Sequence, residues 1–101
     1  MREKLANRRP CETFTIETAS GTFDVSVGRF DDGRLAEIFL SSRRRVGSDT
    51  DLAARSHAVT ASLALQHGAP VETIRAALSQ ETSGTMRGPV GLLLDALTRS
   101  P

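Results

Sequence analysis

The residues best suited to chemistry lie in a short basic turn, Arg43-Arg44-Arg45-Val46-Gly47-Ser48. A glycine turn at the start of a helix can hold phosphate on backbone N–H groups, and nearby guanidinium groups can clamp its oxygens. Arg43, Arg44, Arg45, Gly47 and Ser48 are therefore a candidate phosphate or nucleotide site. The alternative is a solvated basic loop, because the turn lacks the spaced glycines and the Lys-Ser/Thr pair of a P-loop.

Other reactive residue types do not form a recognisable catalytic set. Cys11 is the only cysteine, so the chain cannot form an internal disulfide, and no Cys/His cluster has zinc spacing. Asp31-Asp32 is explained by turn chemistry. No nucleophile has a positioned base, and no cofactor motif is present. We therefore expect no metal, no cofactor and no enzyme activity of the chain on its own.

Length and composition indicate one compact domain. The chain has 101 residues and a net charge of +1, which gives no general attraction to nucleic acid. Lys4 is the only lysine among thirteen basic residues. The apolar runs are too short to span a bilayer, the N-terminus does not resemble a signal peptide, and the single cysteine fits a reduced compartment. We expect a cytoplasmic protein without membrane contact.

Alternation of polar and apolar residues predicts three β-strands at residues 13–18, 22–30 and 34–40. Short turns separate them, and Asp31-Asp32-Gly33 suits a tight hairpin. In the third strand, strict alternation places Ala36, Ile38 and Leu40 on one face, with Leu35, Glu37 and Phe39 on the other. The pattern predicts an antiparallel meander.

Helical periodicity begins after the basic turn. Ser48 is a plausible N-cap, and apolar residues recur at intervals of three and four residues from residue 51 to 67. Two stripes lie side by side, one with Leu52, Val59, Leu63 and Gln66, the other with Ala54, Ala58, Ala61 and Leu65. Proline precedes or opens two further helices, one after Pro70 and one at residues 90–98.

The order β-β-β-α-α-α predicts an α+β fold, a three-stranded antiparallel meander followed by three helices packed on one face. Residues 1–11 are expected to form a flexible N-terminal arm, and residues 12–98 a single domain. Helices on one face leave the other face open. Leu35 and Phe39 would lie there as an apolar patch suited to a homodimer or a partner protein.

Residues 63–78 allow a second interpretation, a helix-turn-helix that binds DNA. Glu72, Thr73, Arg75 and Ala76 would then face the major groove. An ordinary αα-hairpin is favoured, because the second helix carries one arginine against one glutamate and would attract phosphate weakly.

Three segments carry a resemblance to a known family. They are the hairpin at residues 28–40, the Leu-Gln-His-Gly-Ala-Pro run at residues 65–70, and Gly88-Pro89-Val90-Gly91. Together they resemble the TSCPD domain, the C-terminal region of adenosylcobalamin-dependent ribonucleotide reductases.

The resemblance implies an accessory or binding domain in deoxynucleotide metabolism, with a nucleotide or a reductase as partner. Reductase chemistry in that family needs several cysteines, and this chain has one. The cysteine of the TSCPD signature has no counterpart in residues 82–87. The chain therefore resembles a free-standing copy of the accessory domain.

Overall fold

The computed structural model describes residues 1–6, 11–19, 21–78 and 88–99. Three strands come first in the chain: β1 (Cys11–Thr18), β2 (Gly21–Arg29) and β3 (Leu35–Ser42). Three helices follow them: α1 (Asp49–Gln66), α2 (Val71–Ala77) and α3 (Pro89–Arg99). The α+β order expected from the sequence is confirmed. Residues 82–87, where the signature cysteine of the TSCPD domain has no counterpart, lie outside the described residues.

The strands form one antiparallel sheet in the order β1-β2-β3. One face of the sheet packs against the helices and builds the core. Its fully buried side chains include Phe23, Val27 and Ile38 from the sheet, and Val90 and Leu93 from α3. The helices thus cover one face, as predicted, and the opposite face carries the residues that alternate with these.

A β-bulge at the start of β3 changes the expected position of one residue. Arg29 pairs with Leu35 and Gly28 pairs with Glu37, so β3 has one residue more than β2 at this point. The extra residue, Ala36, reverses the alternation of faces before Glu37. Leu35 therefore lies in the hydrophobic core and is 9% exposed, and its predicted place on the open face is wrong.

Helix α1 runs along the free edge of β3 and hydrogen-bonds to its backbone. The Ser62 hydroxyl accepts from the Ile38 N–H at 2.9 Å and lies 3.0 Å from the Ile38 carbonyl as a donor. Gln66 Nε2 donates to the Ala36 carbonyl at 3.1 Å, and Asp51 accepts from the Ser42 N–H at 2.7 Å. These side chains satisfy backbone groups that a neighbouring strand would otherwise pair.

The alanine stripe of α1 is the one that meets the sheet. Ala54, Ala58 and Ala61 are buried, and their small side chains permit the close approach that the edge hydrogen bonds require. The neighbouring stripe turns outward, so that Leu52 and Val59 are about half exposed. Buried serine, glutamine and aspartate thus replace the large apolar contacts usual between a helix and a sheet.

The first residues of the chain contact the end of α1. The Glu3 N–H donates to the Gln66 carbonyl, and Arg2 Nε donates to Gln66 Oε1, both at 2.6 Å. The Glu3 carboxylate also pairs with Arg34 at 3.0 Å. Within the predicted arm, Arg2 and Glu3 are therefore hydrogen-bonded to the domain, while residues 7–10 lie outside the described part.

The edge contacts make a specific prediction for Ser62. The single hydroxyl hydrogen of Ser62 has two carbonyls in reach, those of Ala58 at 2.8 Å and Ile38 at 3.0 Å, whereas the Ile38 N–H has the hydroxyl oxygen as its acceptor. Ser62→Ala therefore leaves the buried Ile38 N–H without its partner, which costs about 1–3 kcal/mol in the free energy of unfolding. Urea denaturation monitored by circular dichroism measures this change. Ser56→Ala, on the exposed side of the same helix, is the matched control and should shift stability by less than about 0.5 kcal/mol. Equal effects of the two substitutions would contradict the role assigned to Ser62.

Candidate functional site

The open face of the sheet is built from rows of residues that pair across all three strands. One row contains Thr13, Ser26 and Phe39, and the next contains Thr15, Asp24 and Ser41. Five of these six side chains are polar, and Phe39 stands among them 49% exposed. Phe39 is thus on the open face, as the alternation predicted.

Helix α1 forms a wall beside this face and converts it into a groove. Arg55 and Val59 lie one helical turn apart and border the rows of the sheet. The groove has a volume of about 610 Å³ and is widely open to solvent. Phe39 and Val59, each about half exposed, are its principal apolar side chains. We call this surface the open-face groove; it is lined by Thr13, Phe14, Thr15, Asp24, Val25, Ser26, Phe39, Leu40, Ser41, Arg43, Arg55 and Val59.

Two arginines in the open-face groove are already engaged within the protein. Arg43 Nη2 pairs with Asp24 Oδ1 at 2.8 Å. Arg55 Nε pairs with Asp51 Oδ2 at 3.0 Å, and its Nη2 donates to the Ser41 hydroxyl at 2.9 Å. The groove therefore presents balanced charge rather than a strongly positive surface.

The basic turn between β3 and α1 is organised around one buried carboxylate. Asp51 is fully buried, and its Oδ2 accepts from the Gly47 N–H at 2.8 Å while its Oδ1 accepts from Ser42. These backbone N–H donors, with the charge of Arg55, hold the pKa of Asp51 below its ordinary value. The carboxylate thus occupies the position where a bound anion would meet the Gly47 N–H.

The predicted phosphate-site residues are adjacent but differ in availability. Gly47 adopts a φ of +84°, which favours glycine, and donates to Asp51. Ser48 is the N-cap of α1 and accepts from the Asp51 N–H at 3.2 Å. Arg43 is paired with Asp24, whereas Arg44 and Arg45 are exposed and have no side-chain partner among the described residues. The last two are the cations free to meet a ligand.

Sequence reasoning missed Asp51, Arg55 and Val59. The Ser48–Asp51 spacing is that of a capping box, in which the third helical residue reaches back to the preceding backbone, and this signal could have identified Asp51. Nothing comparable marks Arg55 or Val59, because their role depends on which side of α1 meets the sheet.

The helix-turn-helix candidate Arg75 has a structural contact, and so does His67 at the end of α1. Arg75 on α2 pairs with Asp95 on α3 at 3.0 Å, so its charge is partly used inside the protein rather than offered to DNA. The His67 ring lies 2.8 Å from the Leu63 carbonyl at the end of α1. Within the described ranges, no three His, Cys, Asp or Glu side chains are placed to hold a metal. No helix there has the length and hydropathy to cross a membrane.

A comparison with protein families finds one match, the TSCPD domain, over residues 2–100. The match covers all six elements and the open-face groove. No curated protein and no solved structure matches the chain.

The environment of Asp51 predicts how stability depends on pH. Because its pKa is lowered in the folded state, its ionised form stabilises the protein above the ordinary value of 3.8, and this contribution is lost as pH falls through the lowered value. Asp51→Asn should therefore lower the melting temperature clearly at neutral pH, and the difference from wild type should shrink in acid. Thermal unfolding from pH 7 downward measures it.

Asp49→Asn is the matched control, since Asp49 lies in the same helical turn but is exposed. It should change the melting temperature little at any pH. A constant deficit of Asp51→Asn across the whole pH range would contradict the ionised role of Asp51.

Proposed function

Because the chain belongs to the TSCPD domain family, we propose that it is a non-catalytic accessory domain that binds a partner protein. The observation that carries this proposal is the open-face groove, which Phe39 of β3 and Val59 of α1 both line with about half of each side chain exposed. Aromatic and arginine side chains are enriched in protein interfaces, and both line this groove.

The form of the groove favours a protein over a small ligand. Small-molecule sites enclose most of the ligand surface, whereas this groove is open along its length. The two arginines that line it, Arg43 and Arg55, are paired with Asp24 and Asp51, so neither guanidinium charge is free to hold a phosphate. Because Asp24 is engaged with Arg43, it is a poor base for the nearby hydroxyl groups.

The family resemblance supports a specific partner, an adenosylcobalamin-dependent ribonucleotide reductase. In such reductases the TSCPD region accompanies a catalytic barrel, and this TSCPD domain could bind the same type of enzyme. This partner would place the domain in deoxynucleotide metabolism in the cytoplasm. The chain would contribute contact surface, and the reductase would supply the cysteine and cobalamin chemistry.

Substitutions in the groove test the proposal. The purified domain is immobilised, and its binding to a purified cobalamin-dependent reductase from the same cell is measured by biolayer interferometry. Phe39→Glu should weaken binding by about 30-fold or more, because truncating a central aromatic contact costs about 2 kcal/mol or more. Val59→Glu should act in the same direction.

Thr60→Glu is the matched control, since Thr60 is exposed on α1 next to Val59 but does not line the groove. It adds the same charge to the same helix and should leave the affinity unchanged. Circular dichroism confirms that each variant is folded. Wild-type domain that fails to bind the reductase, or Phe39→Glu that binds like wild type, would contradict the proposal.

A nucleotide remains the second candidate ligand, because Arg44 and Arg45 are exposed and unpaired in the described part of the chain. Isothermal titration with ribonucleotides and deoxynucleotides tests it. If the basic turn binds phosphate, Arg44→Ala and Arg45→Ala should each reduce the affinity, while Arg99→Ala should not. Absence of heat with every nucleotide leaves protein contact as the function.

A further inference from the structure

The two edges of the sheet differ in how their backbone is satisfied. The β3 edge is covered by α1 and hydrogen-bonded to its side chains. Strand β1 forms the other edge, and its eight residues pair with β2 in uninterrupted register. Most of β1 is exposed. A long, regular edge that no described residue pairs with is a template for a further strand.

The direction of the unpaired backbone groups follows from the β3 edge. Ile38 turns its N–H and carbonyl toward α1, whereas Arg43 donates its N–H to Thr22 of β2. Backbone direction alternates along an antiparallel strand. The residue pairings of β3 with β2 and of β2 with β1 extend this alternation to β1. The N–H and carbonyl of Thr13, Thr15 and Glu17 therefore point away from β2. No backbone partner for these three residues exists outside the sheet in the described ranges.

We propose that β1 pairs antiparallel with β1 of a second copy of this chain, so that two three-stranded sheets form one continuous sheet. A two-fold axis at Thr15 lets Thr15 exchange backbone hydrogen bonds with its counterpart. Thr13 and Glu17 then pair with Glu17 and Thr13 of the second copy. All outward backbone groups of these residues acquire partners, which is the self-complementarity that a two-fold interface requires.

The side chains of β1 fit this register. On the helix-covered side, Phe14 is 36% exposed and Ile16 is partly buried, because the helices do not fully cover this end of the core face. The two-fold axis places Phe14 opposite Ile16 of the second copy, an aromatic and β-branched pair that stabilises sheets. Glu12 meets Thr18 and Glu17 meets Thr13, so no like charges lie directly opposite.

The strand carries two charged residues, Glu12 and Glu17, but lacks other features that keep edges apart. It contains no proline or lysine, and its pairing with β2 has no bulge. A second copy is the occupant that this pattern favours, because the same eight residues supply both halves of a charge-compatible pairing. The edge strand contributes Thr13, Phe14 and Thr15 to one side of the open-face groove, whereas Phe39 and Val59 lie on β3 and α1. Pairing through the β1 backbone therefore leaves Phe39 and Val59 accessible to a partner protein.

Hydrogen exchange and sedimentation test the proposal on the wild-type chain. At high micromolar concentration the protein should sediment as a dimer, and the amides of Thr13, Thr15 and Glu17 should exchange slowly. Dilution should release the dimer and accelerate the exchange of these amides selectively. A monomer at high concentration, or fast exchange of the three amides at every concentration, would overturn the proposal.

Cross-linking reports the position of the axis. In a Cys11→Ser background, Thr15→Cys should form a disulfide-linked dimer under mild oxidation, since paired Cα atoms about 5.5 Å apart lie within disulfide range. Thr60→Cys in the same background, exposed on α1, is the control and should form no disulfide-linked dimer. A dimer that does not cross-link at position 15 would place the interface elsewhere and overturn the β1 pairing.

Proline substitution distinguishes the role of the β1 edge in dimer formation from the role of the groove in partner binding. Thr15→Pro removes an N–H that points away from β2, so the domain should fold yet sediment as a monomer. Phe39→Glu should remain dimeric even if it loses partner binding. The two proposals can therefore fail separately: loss of the dimer leaves Phe39 and Val59 in place, and loss of partner binding in Phe39→Glu leaves the β1 backbone free to pair.

Discussion

The structure depends on the hydrogen bonds between α1 and the exposed backbone of β3. A sheet edge beside a helix would normally leave several N–H and carbonyl groups buried without partners, and each such group is costly. Here Asp51, Ser62 and Gln66 supply those partners along the length of the strand. The helix can approach this closely because Ala54 and Ala58 present almost no bulk. Small and polar residues together therefore decide where α1 lies.

The position of α1 determines what the rest of the surface can do. Its contacts with the edge turn Arg55 and Val59 toward the open face, which gives the sheet a wall on one side only. The same contacts place Asp51 beneath the basic turn, where it orders the backbone from Ser42 to Gly47. The groove and the turn are thus two results of one packing arrangement.

The element order, the meander and the N-cap at Ser48 could be predicted from the sequence, because each is written in local patterns of alternation, turn residues and helix caps. The position of Leu35 could not. It depends on a bulge at Ala36, and a single extra residue reverses the face of every residue before it.

The local sequence pattern also could not predict which of the two stripes of α1 is buried. Leucine and valine at helical spacing normally indicate the buried side, yet the side with Ser62 and Gln66 is buried because it meets an unpaired strand edge. Only the packing of α1 against β3 shows which side of the helix is buried. Val59 and Arg55 consequently became visible as groove residues only in the folded chain.

The Asp51 carboxylate competes with free anions for the backbone N–H of Gly47 at the start of α1. A carboxylate attached to the chain, and already hydrogen-bonded to Gly47, acts at an effective concentration that a freely diffusing anion cannot easily match. An incoming anion would need several simultaneous contacts to displace it. The turn therefore keeps its shape without a bound anion, and we expect it to bind simple inorganic anions weakly.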